Sequence, residues 1–166
     1  PLIGLEPSCI LTLRDEYAAL LPDEIIDSMT DHALLLEEFL VRNLNRLHLD
    51  LRPMAIKHAA LHGHCHQKAF DLVKPAEAVL RDIAGVEVEV IDTSCCGMAG
   101  AFGYGRDTYD VSIQMAEASL LPAVRAAPDE AAIVADGTSC RCQIGDGTGR
   151  EAVHLARHLD RLISGS

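Results

Sequence analysis

Two hydrophobic periods run through the chain, and they alternate. Short apolar runs appear at Leu2-Ile3-Gly4-Leu5, Met54 to Leu61, Val86 to Ile91 and Ala131 to Ala135. Each is bounded by Gly, Pro, Asp or Ser, as expected for strands. The last is continuously apolar, the pattern of a strand buried on both faces. Between the strands the spacing changes to three and four. Ile10 to Leu21 reads as a helix, with Ser8 or Thr12 as its cap. Pro22-Asp23 opens a second helical segment to about Leu47, carrying Ile25, Ile26, Met29, Leu36, Phe39, Leu40 and Leu44 on one face. The capping groups Asp27-Ser28 and Thr30-Asp31 divide it into two helices. Pro75 to Ile83 is a helix with Pro in its first turn and Gly85 as its stop. Further helices span about Asp107 to Leu121 and about Gly149 to Ile163. Strand and helix therefore alternate four times. The expected fold class is α/β: a parallel β-sheet of about four strands, helices on both faces, right-handed crossovers.

Every cysteine lies just after one of these strands. Cys9 comes after the first, Cys65 after the second, Cys95 and Cys96 after the third, and Cys140 and Cys142 after the fourth. Loops at the carboxyl ends of parallel strands share one edge, where ligand sites form. The six thiols are thus expected to gather at one place. The centre is Thr93-Ser94-Cys95-Cys96-Gly97-Met98-Ala99-Gly100-Ala101-Phe102-Gly103-Tyr104-Gly105, whose glycines allow the backbone to close around a group held against two adjacent sulfurs. His62, His64 and His66 alternate around Cys65 and could share one face. His64 and His66 are candidate donors beside a sulfur ligand, and Gly97 a candidate N–H donor. His58, His154 and His158 carry no motif and are taken as structural. The glycine pattern lacks the Lys-Ser/Thr of a phosphate-binding loop.

Three chemistries compete for such sulfurs. Zinc favours a Cys-x2-4-Cys knuckle, and the close pairs here are Cys95-Cys96 and Cys140-Arg141-Cys142. A dithiol redox site favours Cys-x-x-Cys, although Cys95-Cys96 could form a strained vicinal disulfide. An iron–sulfur cluster takes thiolates from several loops and suits an adjacent pair plus distant single cysteines best.

Composition narrows the partners. Lys plus Arg number 14 against 25 Asp plus Glu, a formal charge of −11 over 166 residues. That excludes a phosphate-neutralising stripe, so no nucleic acid is expected. No apolar run approaches the roughly 20 residues of a membrane span. The start has no basic or apolar leader. A cytoplasmic location is expected, where thiols stay reduced and six Cys read as metal or redox ligands. Leu2 to Ile10 also repeats the pattern of Ile133 to Cys140, an apolar strand, a short break, then Ser-Cys and an onward helix. Residues 1–50 are accordingly read as the end of a preceding repeat with connecting helices, and residues 51–166 as a complete one, together one compact domain. The start on Pro1 rather than Met suggests a C-terminal fragment of a longer protein.

Glu6-Pro7-Ser8-Cys9, His62-Gly63-His64-Cys65-His66-Gln67, Cys96-Gly97-Met98-Ala99-Gly100-Ala101-Phe102-Gly103-Tyr104 and Asp136-Gly137-Thr138-Ser139-Cys140-Arg141 together resemble the cysteine-rich CCG domain family. This family includes a component of heterodisulfide reductase, iron–sulfur subunits of glycolate and anaerobic glycerol-3-phosphate dehydrogenases, and the C-terminal part of long FAD-linked oxidases. The chain looks most similar to the last, the relatives of D-lactate and D-2-hydroxyacid dehydrogenases. The resemblance implies a 4Fe-4S cluster on Cys65, Cys95, Cys96 and Cys140. The family pattern often closes with Cys-x-x-Cys; Cys140-x-Cys142 departs from it, which leaves Cys142 a candidate fifth ligand. Cys9 would belong to the preceding repeat. The implied function is an electron-transfer module receiving electrons from a FAD domain upstream in the same polypeptide, with no dehydrogenase activity of its own. The implied location is cytoplasmic, at the inner membrane periphery through the full-length protein. A zinc-filled or empty docking domain and a thiol–disulfide protein using Cys95 and Cys96 are the alternatives.

Overall fold

A computed structural model describes residues 1–47 and 56–164. The start of the second strand expected from Met54 and the repeat boundary at residues 50 and 51 lie outside the described residues. The main sheet is formed by β3 (His58–His62), β4 (Glu87–Val90), β5 (Ala132–Ala135) and β6 (Ala152–Val153), where β1 (Leu2–Gly4) and β2 (Ala33–Leu35) precede them in the chain. Its order is β4-β3-β5-β6 and every pair is parallel. Leu61 lies level with both Val90 and Val134, so the strands end at one edge. The α/β class, the parallel four-stranded sheet and its surrounding helices are as expected.

Alternate residues of the strands serve opposite faces, the period of two that a pleated strand imposes. Ala59, Leu61, Val134 and Val153 pack with Leu40, Ala76, Val79, Leu80, Leu155, Leu159 and Leu162. These come from α3 (Leu36–Asn43), from α5 (Val73–Ala78) with its π-helical continuation to Ile83, and from α9 (Leu155–Ser164). Ala60, Ile133 and Ala135 face the other way, onto Leu120, Val124, Ile144, Cys96, Met98 and Cys140. Those belong to α7 (Leu120–Ala126), α8 (Thr138–Thr148) and the loop after β4. Each fully buried Leu in these layers contributes about 1.5–3 kcal/mol relative to exposure.

Several expected boundaries are corrected. The first strand is not in the main sheet. It pairs in parallel with β2, Leu2 opposite Ala33 and Gly4 opposite Leu35, to make a separate two-stranded sheet. The fourth strand of the main sheet is instead β6, inside the span expected to be the last helix. That helix starts at Leu155, and Gly149 is the left-handed C-cap of α8 (φ 72°), where absence of a Cβ removes the steric penalty. The helix expected from Ile10 begins at Pro7 as α1 (Pro7–Ile10) and continues only as 3-10 turns over Leu11–Arg14 and Glu16–Ala19. Neither Ser8 nor Thr12 caps it. Ser8 donates to the Glu6 carboxylate at 3.0 Å, and the Thr12 hydroxyl donates back to Ser8 O at 2.7 Å. The 22–47 segment is α2 (Asp23–His32), then β2, then α3. The helix after the CCG loop is broken into α6 (Tyr109–Glu117) and α7, because Pro122 brings no N–H to a continuous ladder. Pro75 does sit in the first turn of its helix, and Gly85 ends the segment at φ 66°.

The small sheet has its own core of Ile10, Leu11, Ala33, Leu35 and Leu72. Polar groups tie it to the large one. Glu6 Oε2 accepts from the backbone N and the hydroxyl of Thr138, both at 2.8 Å, which caps α8 from 132 residues away. His154 Nε2 donates to Leu5 O at 2.7 Å. Among the described residues no helix is long and apolar enough to cross a membrane.

Candidate functional site at the strand ends

The chain leaves β3 for β4 on one side and crosses to β5 on the other. Helices following β3 and β5 accordingly lie on opposite faces of the sheet: α5 against Leu61 and Val134, α8 against Ile133 and Ala135. That reversal opens a crevice between the carboxyl ends of neighbouring strands, the usual ligand position in such sheets. Cys65 follows β3 and Cys140 follows β5, one on each side of it.

Cys65 is the first residue of α4 (Cys65–Ala69). His64 caps this helix, its Nδ1 accepting from His66 N at 3.2 Å, while Gln67 Oε1 accepts from His64 N at 2.8 Å. The three histidines therefore do not alternate along a strand. His62 ends β3, whereas His64 and His66 stack with ring centroids 5.3 Å apart. Cys65 Sγ lies 3.8 Å from His64 Nδ1 and 3.9 Å from His66 Nδ1. One ligand atom from each of the three falls within 4.8 Å of the others.

Cys95 and Cys96 arrive on the loop after β4. Gly97 holds φ 84°, and a Cβ there would stand 2.3 Å from Ser112 O on α6, so the turn requires glycine twice over. The turned backbone presents N–H groups to sulfur. Gly97 N donates to Cys95 Sγ at 3.4 Å, and Met98 and Ala99 donate to Cys96. Gly100 N donates to Ser139 Oγ at 3.2 Å, joining the loop to α8. Cys140 lies in the first turn of α8. Gly137 before it leaves room for the His64 ring, which a Cβ would meet at 2.4 Å, with Cys140 Sγ at 3.1 Å.

Four thiols act on one another here, and among the described residues only His64, Cys65 and His66 bring three ligand atoms within 4.8 Å of one another. The Cys140 thiol is hydrogen-bonded to Cys96, which pushes Cys96 down; the same bond, with burial, pushes Cys140 up. Cys65 and Cys95 also act on Cys140. Burial raises Cys65, and the nearness of Cys95 and then Cys96 raises it further. Thiols grouped on neighbouring loops are chemically suited to a soft metal, whose charge favours the thiolate forms.

Cys142 is not in this group. It is two residues along α8, beside Tyr104; its bond to the Tyr104 hydroxyl and then its charge raise the pKa of that exposed phenol, which donates to Asp146 Oδ2 at 3.4 Å. Cys9, on α1, is exposed.

Of the surrounding polar residues, Lys68 and Glu37 were not singled out from sequence. Lys68 Nζ donates to Thr93 O (2.5 Å), Thr93 Oγ1 (2.7 Å) and Ser94 O (3.0 Å), fastening α4 to the loop before Cys95. It follows Cys65 by three residues, hence shares its helix face, a relation the sequence already held. Thr93 Oγ1 lies 3.0 Å from His62 Nδ1. Burial, then Lys68 and His64, push His62 down to about 3. Its Nε2 is buried without a partner among the described residues. Beneath α4, Gln67 Nε2 donates to Glu37 Oε1 at 2.7 Å and to Asp136 Oδ2 at 2.9 Å. Burial, with Asp136 adding to it, pushes Glu37 up to about 8.

No protein-family model matches the chain, and no solved structure matches it. Among curated proteins it is 31% identical over 169 residues to a subunit of the anaerobic glycerol-3-phosphate dehydrogenase of Escherichia coli (strain K12). It is 30% identical over 167 residues to D-2-hydroxyglutarate dehydrogenase of the same strain, and 27% identical over 164 residues to the protein of that name from Pantoea ananatis (strain AJ13355). These alignments take in 99%, 98% and 98% of this chain. The chain is thus similar over almost all its length to one segment of each relative, and spans 41% of the first and 16% of each of the other two.

Proposed function

We propose that the chain is an iron–sulfur electron-transfer module of a dehydrogenase, of the cysteine-rich CCG type, with Cys65, Cys95, Cys96 and Cys140 as ligands. The observation that carries this reading is the placing of these four thiols on neighbouring loops at the switch point of a parallel sheet, with backbone N–H groups donating to two of them. Bound there, a four-iron cluster would supply a one-electron relay whose potential follows burial and N–H···S bonding. The chain's own residues gather the thiols, hold the loop turned at Gly97 and shield Cys96 and Cys140 from water. His64 and His66 flank Cys65, the exposed member of the set. Cys142, turned toward Tyr104, is outside the ligand set.

Similarity to segments of two dehydrogenase components supports a place beside a larger catalytic part, here a FAD domain in the same polypeptide that oxidises a 2-hydroxyacid. A reduced, cytoplasmic setting suits free thiols. The half-repeat reading of residues 1–50 has support in the matched order strand, Ser-Cys helix, strand, which recurs in β1–α1–β2 and β5–α8–β6. Zinc is the second reading, favoured by the closeness of His64, Cys65 and His66.

Anaerobic reconstitution followed by iron and sulfide analysis tests the proposal. About four iron and four sulfide per chain are expected, lost in Cys→Ser variants at 65, 95, 96 or 140 and retained in Cys142→Ser. Stoichiometric zinc with no iron uptake would refute it.

A further inference from the structure

Lys68 has a place in the site that its side-chain type alone does not explain. A half-buried ammonium normally turns to a carboxylate or to water. This one directs three short hydrogen bonds into the two residues before Cys95. Burial disfavours its charge, while Cys140, Cys65, Asp92 and Cys95 favour it. Glu6, Asp136 and Arg141 are engaged elsewhere. Glu6 caps α8 through Thr138. Asp136 accepts from Gln67 and Leu155 N. The Arg141 guanidinium is used on Ala135 O, Asp136 O and Thr138 Oγ1. An ammonium only donates, so the Thr93 hydroxyl accepts from Lys68 Nζ, and the same oxygen lies 3.0 Å from His62 Nδ1.

We propose that Lys68 is the positioning and charge-setting residue of the thiol site: it ties the Thr93–Ser94 loop to α4 and stabilises the negative charge the site gains on reduction. This rests on the iron–sulfur reading above. Reduction adds one electron, supplied in the test by dithionite, and no covalent bond is made or broken. A fixed cation beside the sulfurs lowers the energy of the more negative state and so raises the reduction potential.

The test compares the reconstituted wild-type chain with Lys68→Met, Lys68→Arg and Thr93→Val, reading iron content first and then the potential by anaerobic dithionite titration. Lys68→Met is expected to lower the reduced-to-oxidised ratio at a fixed poise about tenfold, equivalent to about 59 mV for one electron. Lys68→Arg keeps the charge and is expected to stay within about twofold of wild type, as is Thr93→Val, which leaves the charge and both carbonyl contacts in place. Should Lys68→Met take up no iron while Lys68→Arg does, the requirement for charge is met and the proposal stands. An unchanged potential in Lys68→Met overturns it, as does an equal shift, or an equal loss of iron, in Lys68→Arg. Failure of the wild-type chain to take up iron would overturn the functional reading, and this inference with it. A normal iron content with no effect of Lys68→Met would overturn the inference alone.

Discussion

Replacing Glu37 by Gln isolates the electrostatic cost of the buried network beneath Cys65. Glu37 is 1% exposed, on the first turn of α3, and shares the two amide protons of Gln67 with Asp136. Burial and the neighbouring carboxylate raise its pKa from 4.5 to about 8, so in the folded chain it is protonated at neutral pH. A folded-state value above the unfolded one makes a contribution that is complete below about pH 4.5 and is lost as pH rises toward about 8. Each pH unit between those limits is worth about 1.4 kcal/mol, for an upper limit of about 5 kcal/mol. Rearrangement around Asp136 and water penetration reduce this to about 2–3 kcal/mol. Glutamine keeps the shape and an oxygen acceptor for Gln67 and has no proton to lose. Urea unfolding of wild type and Glu37→Gln, followed by circular dichroism from about pH 5 to pH 9, reads the difference directly, since every other titrating group is common to both. Nearly equal stability at about pH 5 and an advantage of about 2 kcal/mol for the variant at about pH 8.5 are expected. Parallel curves across that range would refute the reasoning.

Other outcomes follow from single contacts. His62 is held neutral with a pKa of about 3, below its unfolded 6.5, so its contribution is present above pH 6.5 and is lost as pH falls toward 3. His62→Gln should flatten the acid limb of the stability curve between about pH 6 and pH 4, and an unaltered limb would count against it. Gly97→Ala combines a left-handed φ with a backbone clash at Ser112 O. It should cost at least about 2 kcal/mol in urea unfolding and impair iron uptake. Arg150 donates to the carbonyls of Val124, Ala127, Pro128 and Ala131, closing the end of α7 against the start of β5. Arg150→Met should cost about 3 kcal/mol, a fall in Tm of roughly 6–12 °C, and a change under about 2 °C would show those carbonyls satisfied without it.

The α/β class, the parallel sheet and the strand-end placement of the cysteines are readable in the order of the amino acids. These are local matters: a continuous apolar run such as Ile133-Val134-Ala135 is explained only by burial on both faces, and a loop after a parallel strand has one edge to go to. Gly85 as a helix stop was legible for the same reason, since φ belongs to the residue; that Gly97 in particular must turn at φ 84° was not. Ala33-Leu34-Leu35 and Ala152-Val153 were not legible as strands. Three apolar residues, or two, fit a helix equally well, and only pairing with Leu2–Gly4 and with Ile133-Val134 decides for extended backbone. The helical angle separating Cys140 from Cys142 also waited on knowing that α8 begins at Thr138. Tertiary structure alone revealed the charge around the sulfurs. Lys68 reaches Thr93 across 25 residues, Gln67 joins Glu37 to Asp136 across 30 and 69, and Glu6 reaches Thr138 across 132. Such partners are chosen by which loops the sheet order brings side by side, and no local period carries that information.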